Sequence, residues 1–299
     1  MKPSDEIIPS QPTPEILLET GEAPPASLVQ PPKAQARNKA GQKQRHHKLR
    51  AYLRYGWEVT RPKKALAVLQ PEVKPLPRTC GRHVILVHGH NCLPSFLNGL
   101  QRSLRGVAGA DEWRFWQVEY DTHWKPFTRS AREIVRTLDH QGYDFSEAIL
   151  VGYSMGGVVA RQMVADGFPC RALLALCSPH LGYVPWLPFG DPGTLSIWPF
   201  SRRLHILNRH PRDRAARSKY HFLAADYTDM FGYHPHDGLI TRRSAWGETL
   251  GPLGSRMDVH LTYHFPPGID PHIRVLRHQY LKAVLEICEK LFSTHEGEP

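Results

Sequence analysis

Five residues near the middle of the chain have the types and spacing of a nucleophile held in a tight turn. They read Gly152-Tyr153-Ser154-Met155-Gly156, with the apolar run Ile149-Leu150-Val151 before them and Val158-Val159-Ala160 after them. The first run predicts a buried strand and the second a helix. A serine at the tip of such a turn has a strained backbone, and side chains two positions before or after it would collide with the turn. The pattern therefore predicts that Ser154 is a nucleophile and that both glycines are steric requirements.

A serine nucleophile needs two further side chains to work. Its hydroxyl reacts poorly until a neighbouring base takes its proton. That base is commonly an imidazole, whose tautomer a carboxylate fixes. The chain contains 18 histidines, so a single histidine is weak evidence by itself. The helix predicted from Met155 would bring the partial positive charge of its N-terminus to an oxygen that becomes negative during acyl transfer.

The elements around Ser154 alternate between apolar strands and amphipathic helices. Continuous apolar strands separated by helices favour a mostly parallel sheet that is covered on both faces. A helix is predicted over about 129–140, another after Ser154, and a long final helix over 270–292 that begins with Asp270 and Pro271. The predicted strands are HVILVHGHN (83–91), EWRFWQVEYD (112–121), EAILVGYS (147–154), RALLALCSPHLG (171–182), KYHFLAAD (219–226) and DVHLTYH (258–264).

The charge of the chain is concentrated near its N-terminus. The 299 residues carry a net charge of +10, and residues 31–64 hold eleven Lys and Arg against one Glu. Residues 1–44 are rich in Pro, Gln, Ala, Glu and Lys, a composition that cannot bury enough apolar area to fold. We expect a disordered tail over 1–44, a basic helix and linker over 45–78, a folded domain over 79–294 and a short tail over 295–299.

The composition and motifs disfavour several classes of protein. Five cysteines without paired spacing indicate reduced thiols. The sequence has neither a secretory leader pattern nor an apolar run of about 18 residues, so we expect a cytoplasmic protein. It contains no phosphate-binding loop or dinucleotide fingerprint, and we expect no cofactor. The HPHD stretch at 234–237 offers possible metal ligands, but neighbouring loop residues rarely satisfy tetrahedral geometry alone, so we expect no metal.

The segment 183–207 interrupts the alternation and gives the best indication of the substrate. It is too long for an ordinary connection and is rich in Trp, Phe and Pro. We expect an apolar lid over the acyl site, in which Trp186, Phe189 and Trp198 contact the substrate together with Tyr153 beside the nucleophile. The alternative is a small cap that simply packs on the domain.

Four segments together resemble one family. The segment LVGYSMGGVVAR (150–161) resembles the nucleophile elbow of the α/β-hydrolases, especially of their bacterial lipase branch. The other three are similar to the oxyanion loop, to the segment after the next strand and to the acid-bearing segment of lipases: VILVHGHN (84–91), LCSPHLG (176–182) and HDGLITRRSAWG (236–247). The resemblance extends over about residues 82–292. It implies the α/β-hydrolase fold and a triad in the chain order serine, acid, histidine.

The order of the triad selects candidates for the acid. Asp237 is the predicted acid, because it follows a predicted strand in a turn of His, Pro and Gly and because its surroundings match the lipase pattern. Asp226 and Asp229 are the alternatives, and Asp226 is nearest to the end of the strand.

The base is predicted from its position after the last strand. A base belongs in the loop just past that strand, which favours His264. His260 is the alternative, since its distance from Asp237 along the chain is also acceptable. His272 and His278 lie within the predicted final helix, where we do not expect a base carried by a loop.

The resemblance also implies an oxyanion hole made of two backbone N–H groups. One belongs to Met155, which follows the nucleophile. The other belongs to the loop after the first core strand, and His90 is the candidate. The backbone supplies this role, so the side chain at position 90 is not required for it.

Together these features favour a serine hydrolase that cleaves a carboxylic ester of a small molecule or lipid through an acyl-enzyme on Ser154. One alternative is an acyltransferase that uses the same triad and passes the acyl group to an alcohol or amine. Another is a binding protein without catalysis that acts through its basic N-terminal arm. That arm could make peripheral contact with an anionic membrane, whereas no specific nucleic-acid partner is expected.

Overall fold

The described part of the chain is built around one sheet of eight strands. The predicted tails at 1–44 and 295–299 lie outside it. The structure is a computed structural model, and it describes residue 51 and residues 53–72, 76–183 and 190–293.

Most neighbouring strands are parallel, which confirms the predicted sheet. The strands are β1 Leu66–Leu69, β2 His83–Val87, β3 Arg114–Glu119, β4 Ile149–Tyr153, β5 Ala172–Leu176, β6 Tyr220–Asp229, β7 Gly232–His234 and β8 Ser255–Thr262. Their order is β1-β3-β2-β4-β5-β6-β7, with β8 paired to β6. Among the described strands, β1 on β3 and β7 on β6 are the antiparallel pairs.

Helices cover the sheet on both faces. They are α1 53–60, α2 Asn98–Arg105, α3 Phe127–Asp139, α4 Met155–Ala165, α5 Pro192–Ser196, α6 Arg202–Arg209, α7 Pro211–Ala216, α8 Arg242–Ala245, α9 Asp270–Arg274 and α10 Lys282–Ser293. Short 3-10 turns connect several of these elements. No helix in the described ranges is long and apolar enough to span a membrane.

Two apolar cores lie on opposite faces of the sheet. In β2, Ile85 and Val87 belong to the core with α3 and α4, whereas Val84 and Leu86 belong to the core with α2 and α10. Alternate residues of a strand point to opposite faces, so both faces of β2 are covered. Strands β2, β4 and β5 are buried along their entire length. This double burial explains why their sequences are continuous apolar runs.

The parallel strands bring several chain segments to one edge of the sheet. Strands β2, β4, β5, β6 and β8 run in the same direction through their pairings. The segments that follow them therefore all leave from the carboxyl edge, which is where ligands bind in open α/β sheets. Ser154 follows β4, and the His88–His90 loop follows β2.

The strand β1 was not expected from the sequence. It lies within the segment 45–78, where we predicted only a basic helix and a linker, and it extends the sheet beyond β3. Leu66 and Val68 are exposed and Ala67 is buried. A four-residue edge strand between Lys64 and Pro71 has too short a pattern to be distinguished from an extended linker.

The predicted long helix from Asp270 to residue 292 is wrong. The chain forms the short helix α9, becomes extended at Arg277 with φ −76° and ψ 140°, makes a 3-10 turn over His278–Tyr280, and then enters α10. The N–H groups of Arg277 and Leu281 bond to carbonyls three residues earlier rather than four. The break gives α9 a direction independent of α10.

The insert 183–207 contains two short helices, α5 and the start of α6. Residues 184–189 lie outside the described part of the chain. Ile197, Leu204 and Leu207 are buried in the core that includes α3 and α4, whereas Phe200 is 88% exposed. The described part of the insert therefore packs on the domain and also presents an aromatic side chain to solvent.

Candidate active site

Ser154 occupies the sharp turn that the sequence predicts. Strand β4 ends at Tyr153, α4 begins at Met155, and Ser154 between them has φ 53° and ψ −127°. A Cβ on Gly152 would lie 2.5 Å from Gly157 Cα, and one on Gly156 would lie 2.2 Å from Val87 O. Neither position can carry a side chain, so the sequence pattern has the steric cause proposed for it.

The loop after β2 lies directly against Ser154. A Cβ on Gly89 would lie 2.9 Å from Ser154 Cβ, so only glycine allows this approach. His88 is buried and its ring stacks on Tyr120, whose hydroxyl donates to the His88 carbonyl. These contacts fix the loop beside Ser154. The backbone of His90 and that of Met155 are thereby on the two segments that adjoin the serine.

Asp237 lies in a tight turn, and both oxygens of its carboxylate are hydrogen-bonded. The turn is closed by a backbone bridge between His236 and Thr241. Asp237 Oδ1 accepts hydrogen bonds from the N–H groups of Leu239 at 3.0 Å and Ile240 at 2.7 Å. The side chain is fully buried. These hydrogen bonds fix the orientation of the carboxylate and leave Oδ2 for a further partner.

The imidazole that meets Asp237 belongs to His272. Its Nδ1 lies 2.6 Å from Asp237 Oδ2, and its backbone N–H donates to the Asp237 carbonyl at 2.9 Å. Tyr153 packs on the ring and donates its hydroxyl to the His272 carbonyl at 3.0 Å. An imidazole that donates Nδ1–H to a carboxylate keeps Nε2 available to accept a proton.

His264 does not line the cavity that contains Ser154, whereas His272 does and meets Asp237, so the structure makes His272 the candidate in place of the predicted His264. His264 follows β8 by two residues and is exposed. The chain continues past it through the loop 265–269, and α9 then returns the segment to the carboxyl edge with His272 buried. The sequence analysis selected His264 because it looked for the base in the loop just past the last strand and set aside the residues of the final helix.

The alternative acid and base also pair, but with each other. His260 Nδ1 lies 2.7 Å from Asp226 Oδ1, and the hydroxyl of Tyr233 donates to Asp226 Oδ2 at 2.7 Å. The His260 side chain is 49% exposed, and neither residue lines the cavity that contains Ser154. Asp229, the third acid considered, bonds to His234.

Cys177 is a further side chain at the site that the sequence analysis did not select. It follows β5, has φ 49° and is fully buried. Its sulfur lies within 4.8 Å of both the Asp237 carboxylate and His272. Burial and the negative charge of Asp237 raise the pKa of the Cys177 thiol well above its usual range. The thiol therefore stays protonated beside the carboxylate.

Ser154 and His272 line one cavity of about 340 Å³. Its walls are mainly apolar, and larger grooves of about 880 and 1000 Å³ elsewhere contain neither residue. A mainly apolar cavity with a few convergent polar groups is typical of a small-molecule site. The apolar and aromatic side chains of the wall are Tyr55, Phe96, Tyr153, Tyr183, Ile197, Leu239, Ile240, Ile269 and Ile273.

The substrate-contacting residues predicted from the sequence fall into three groups. Tyr153 lines the cavity. Trp198 does not, because the turn after α5 directs Ile197 inward and leaves Trp198 36% exposed. Trp186 and Phe189 lie outside the described residues.

The sequence did contain a signal for His272. The loop Pro266-Pro267-Gly268 ends shortly before it, so His272 is in the first turn of whatever helix follows. A side chain in a first turn can face a loop site at the edge of a sheet. No comparable local signal marks Cys177, whose role depends on a residue 60 positions away.

The fold and these residues agree with a comparison to protein families. The alpha/beta hydrolase family matches residues 84–289, and the chain belongs to this family. The match covers all the strands from β4 to β8 and the segments that carry Ser154, Asp237 and His272. The comparison with curated proteins gives no match.

The solved structures to which this chain is similar are distant from it in sequence. The mature lipase BlEst2 from Bacillus licheniformis is 16% identical with a TM-score of 0.52, over 76% of this chain and 98% of that one. A putative aryl esterase from Burkholderia cenocepacia is 14% identical with a TM-score of 0.47, over 79% and 98%. Est1E from Butyrivibrio proteoclasticus, solved with ferulic acid bound, is 16% identical with a TM-score of 0.46, over 76% and 93%.

Proposed function

We propose that this chain is a serine-dependent carboxylic ester hydrolase, with Ser154 as nucleophile, His272 as general base and Asp237 as the acid that orients it. The observation that carries the proposal is the meeting of these groups at one cavity. Ser154 is held in the elbow, and the imidazole of His272 lies 2.6 Å from a buried carboxylate. The similarity in fold to the lipase BlEst2 is consistent with the proposal.

The first half of the reaction forms an acyl-enzyme. Ser154 Oγ attacks the ester carbonyl while His272 Nε2 takes the hydroxyl proton. Asp237 stabilises the imidazolium that results. The oxygen that becomes negative is stabilised by the N–H groups of Met155, at the start of α4, and of His90. The tetrahedral intermediate collapses with loss of the alcohol, which receives the proton from His272.

The second half of the reaction releases the acid. His272 accepts a proton from a water molecule as the water attacks the acyl carbon. The C–Oγ bond then breaks, and Ser154 recovers its proton from His272. A carboxylic acid leaves, so the net reaction adds one water to the ester.

The cavity supports an apolar acyl or alcohol group as the part of the substrate that is recognised. Its wall offers aliphatic side chains from two elements, Leu239 and Ile240 beside the acid and Ile269 and Ile273 beside the base. Each methylene that enters such a wall contributes about 0.8 kcal/mol. We expect kcat/KM to rise from the acetate to the butyrate and hexanoate esters.

The proposal is tested by hydrolysis of p-nitrophenyl esters of rising chain length. We expect the wild-type chain to release p-nitrophenol and Ser154→Ala to lose about 10⁴-fold or more in kcat. Ser218→Ala is the matched control, because Ser218 is an exposed serine at another surface, and it should retain full activity. A folded wild-type chain without esterase activity, or equal activity in both variants, contradicts the proposal.

A further inference from the structure

The side chains of two histidines and an aspartate form a cluster beside the active site, and the proposed ester hydrolysis assigns no role to these side chains. His90 follows β2, His123 follows β3, and Asp191 precedes α5. His90 Nε2 lies 2.9 Å from Asp191 Oδ2, and His123 Nδ1 lies 2.7 Å from the same oxygen. The centroids of the two imidazole rings are 4.3 Å apart. Three segments far apart in sequence therefore direct ligand atoms to one point.

The three side chains have the chemistry of a transition-metal site. Imidazole nitrogens and a carboxylate oxygen are common ligands of Zn²⁺ and other first-row divalent ions. The donor atoms lie within 4.8 Å of one another, and 13% to 27% of each side chain is exposed. An ion can therefore reach the cluster from solvent. In the structure, His90 Nε2 and His123 Nδ1 both lie within hydrogen-bonding distance of the same oxygen, Asp191 Oδ2.

The Asp191 carboxylate is held in an orientation that can bind a metal. Its Oδ1 accepts a hydrogen bond from the Thr194 N–H at 2.8 Å, which fixes the side chain and leaves Oδ2 directed at the imidazoles. The fixed carboxylate therefore presents one oxygen to both imidazole nitrogens.

The backbone around the cluster joins the three segments to one another. The N–H of Asn91 donates to Thr122 Oγ1 at 3.3 Å, which joins the loop after β2 to the loop after β3. The N–H of Gly193 donates to the His123 carbonyl at 2.9 Å, which joins α5 to the same loop. The donors are thus positioned by contacts that do not involve their own side chains.

We propose that His90, His123 and Asp191 bind one divalent transition-metal ion, with Zn²⁺ the best match to two imidazoles and a carboxylate. Ligands at about 2.0–2.1 Å in a tetrahedron are about 3.3 Å apart, so the Nε2–Oδ2 and Nδ1–Oδ2 pairs need to separate by only a few tenths of an ångström. Each imidazole binds in its neutral form, with its proton on the other ring nitrogen. Water completes the tetrahedron, and Thr194 Oγ1, 3.1 Å from His90 Nε2, can hydrogen-bond to it.

The proposed ion holds the loop that adjoins Ser154. Gly89 contacts the serine and His90 is the next residue, so coordination of His90 would restrain the oxyanion loop against α5 and the loop after β3. His90 and Thr194 also line the cavity that contains Ser154, but metal binding by the three side chains does not require Ser154 to react, so the proposal does not depend on ester hydrolysis. Cys177, Asp237 and His272 also lie close together, but their donor atoms are engaged within the triad.

The proposal is tested by Co²⁺ binding to the full chain after treatment with a chelator. Co²⁺ at a tetrahedral site gives visible d–d absorption, a readout that requires no activity. We expect the wild-type chain to show this absorption at one equivalent. His123→Gln and Asp191→Asn should each weaken Co²⁺ binding at this site by at least about 100-fold, since each removes a ligand. Zn²⁺ added afterwards should remove the absorption.

Two matched variants complete the experiment. His260→Gln removes the imidazole of the Asp226–His260 pair, which lies away from the cluster, and should retain the Co²⁺ spectrum. Ser154→Ala should also retain it, which separates this proposal from the proposed hydrolysis. Circular dichroism and thermal unfolding establish that His123→Gln and Asp191→Asn are folded. Absence of the absorption in the wild-type chain, or an equal absorption in folded His123→Gln and Asp191→Asn, overturns the proposal.

Discussion

Two Asp–His pairs in the described part of the chain have nearly equal distances between their closest atoms but lie in different surroundings. Asp237 and His272 are 2.6 Å apart at the closest atoms, and Asp226 and His260 are 2.7 Å apart. The first pair is buried and its histidine lines a cavity with Ser154, whereas His260 is half exposed and its Nε2 lies 3.2 Å from Thr228 Oγ1. The proposed reaction therefore requires more than an imidazole oriented by a carboxylate. The elbow must present the nucleophile to the free ring nitrogen.

The largest difference between the pairs should appear when each imidazole is removed. We expect His272→Ala to lower kcat for p-nitrophenyl butyrate by about 10³-fold or more, because the Ser154 hydroxyl loses its base. His260→Ala should change kcat by less than about threefold. Steady-state kinetics on the two purified variants measure both values. A larger loss in His260→Ala would transfer the catalytic role to the exposed pair.

Replacing the carboxylate should also lower kcat more in the buried pair than in the exposed pair, but the difference should be smaller than for the imidazoles. We expect Asp237→Asn to lower kcat by about 10²- to 10⁴-fold, since the amide no longer fixes the tautomer of His272 or stabilises the imidazolium. Asp226→Asn should retain more than half of the wild-type kcat. The same ester assay checks both, with circular dichroism as the test of folding. Equal effects at the two positions would show that the buried pair has no special function.

Two buried histidines outside these pairs, His83 and His88, should make the stability of the fold depend on pH. Burial lowers the pKa of both His83 and His88 to about 4, with the positive charge of Arg114 adding to the effect at His83. The unfolded chain, with a histidine pKa near 6.5, therefore binds more protons than the folded chain between about pH 4 and 6.5. Stability is highest above this window and falls as the pH drops through it.

The expected loss at pH 5 is about 1–2 kcal/mol of unfolding free energy for each imidazole. Urea unfolding at pH 7 and pH 5 measures it. His83→Gln should lose less stability between the two values than the wild-type chain, because one of the titrating groups is gone. A pH dependence unchanged by this substitution would contradict the assignment of the shift to His83.

The sequence predicts best those parts of the fold whose structure is determined by residues close together along the chain. Strands β2, β4 and β5 are continuous apolar runs, and such runs are stable only when covered on both faces. The elbow is similarly local, because the collisions at Gly152 and Gly156 arise within a few residues of Ser154. A short edge strand such as β1 has no comparable pattern.

The first-turn position of His272 makes it a candidate for the base, but the local pattern does not show which histidine meets Asp237. Ile273, Leu276, Tyr280 and Val284 are spaced as on one continuous helix, so the sequence gives no sign of the break at Arg277. Tertiary contacts decide instead, since the backbone N–H of His272 bonds to the Asp237 carbonyl and its ring bonds to the Asp237 side chain. The family resemblance supplied Asp237, and three-dimensional structure was needed to supply its partner.

The most direct test of the account is covalent labelling of the folded chain with a fluorophosphonate, followed by peptide mass spectrometry. The proposed arrangement predicts a single adduct on Ser154 in the wild-type chain, no adduct in Ser154→Ala, and greatly slowed labelling in His272→Ala but not in His264→Ala. A folded wild-type chain that does not react, or that carries its adduct on another residue, would contradict the assignment of Ser154 as the activated nucleophile.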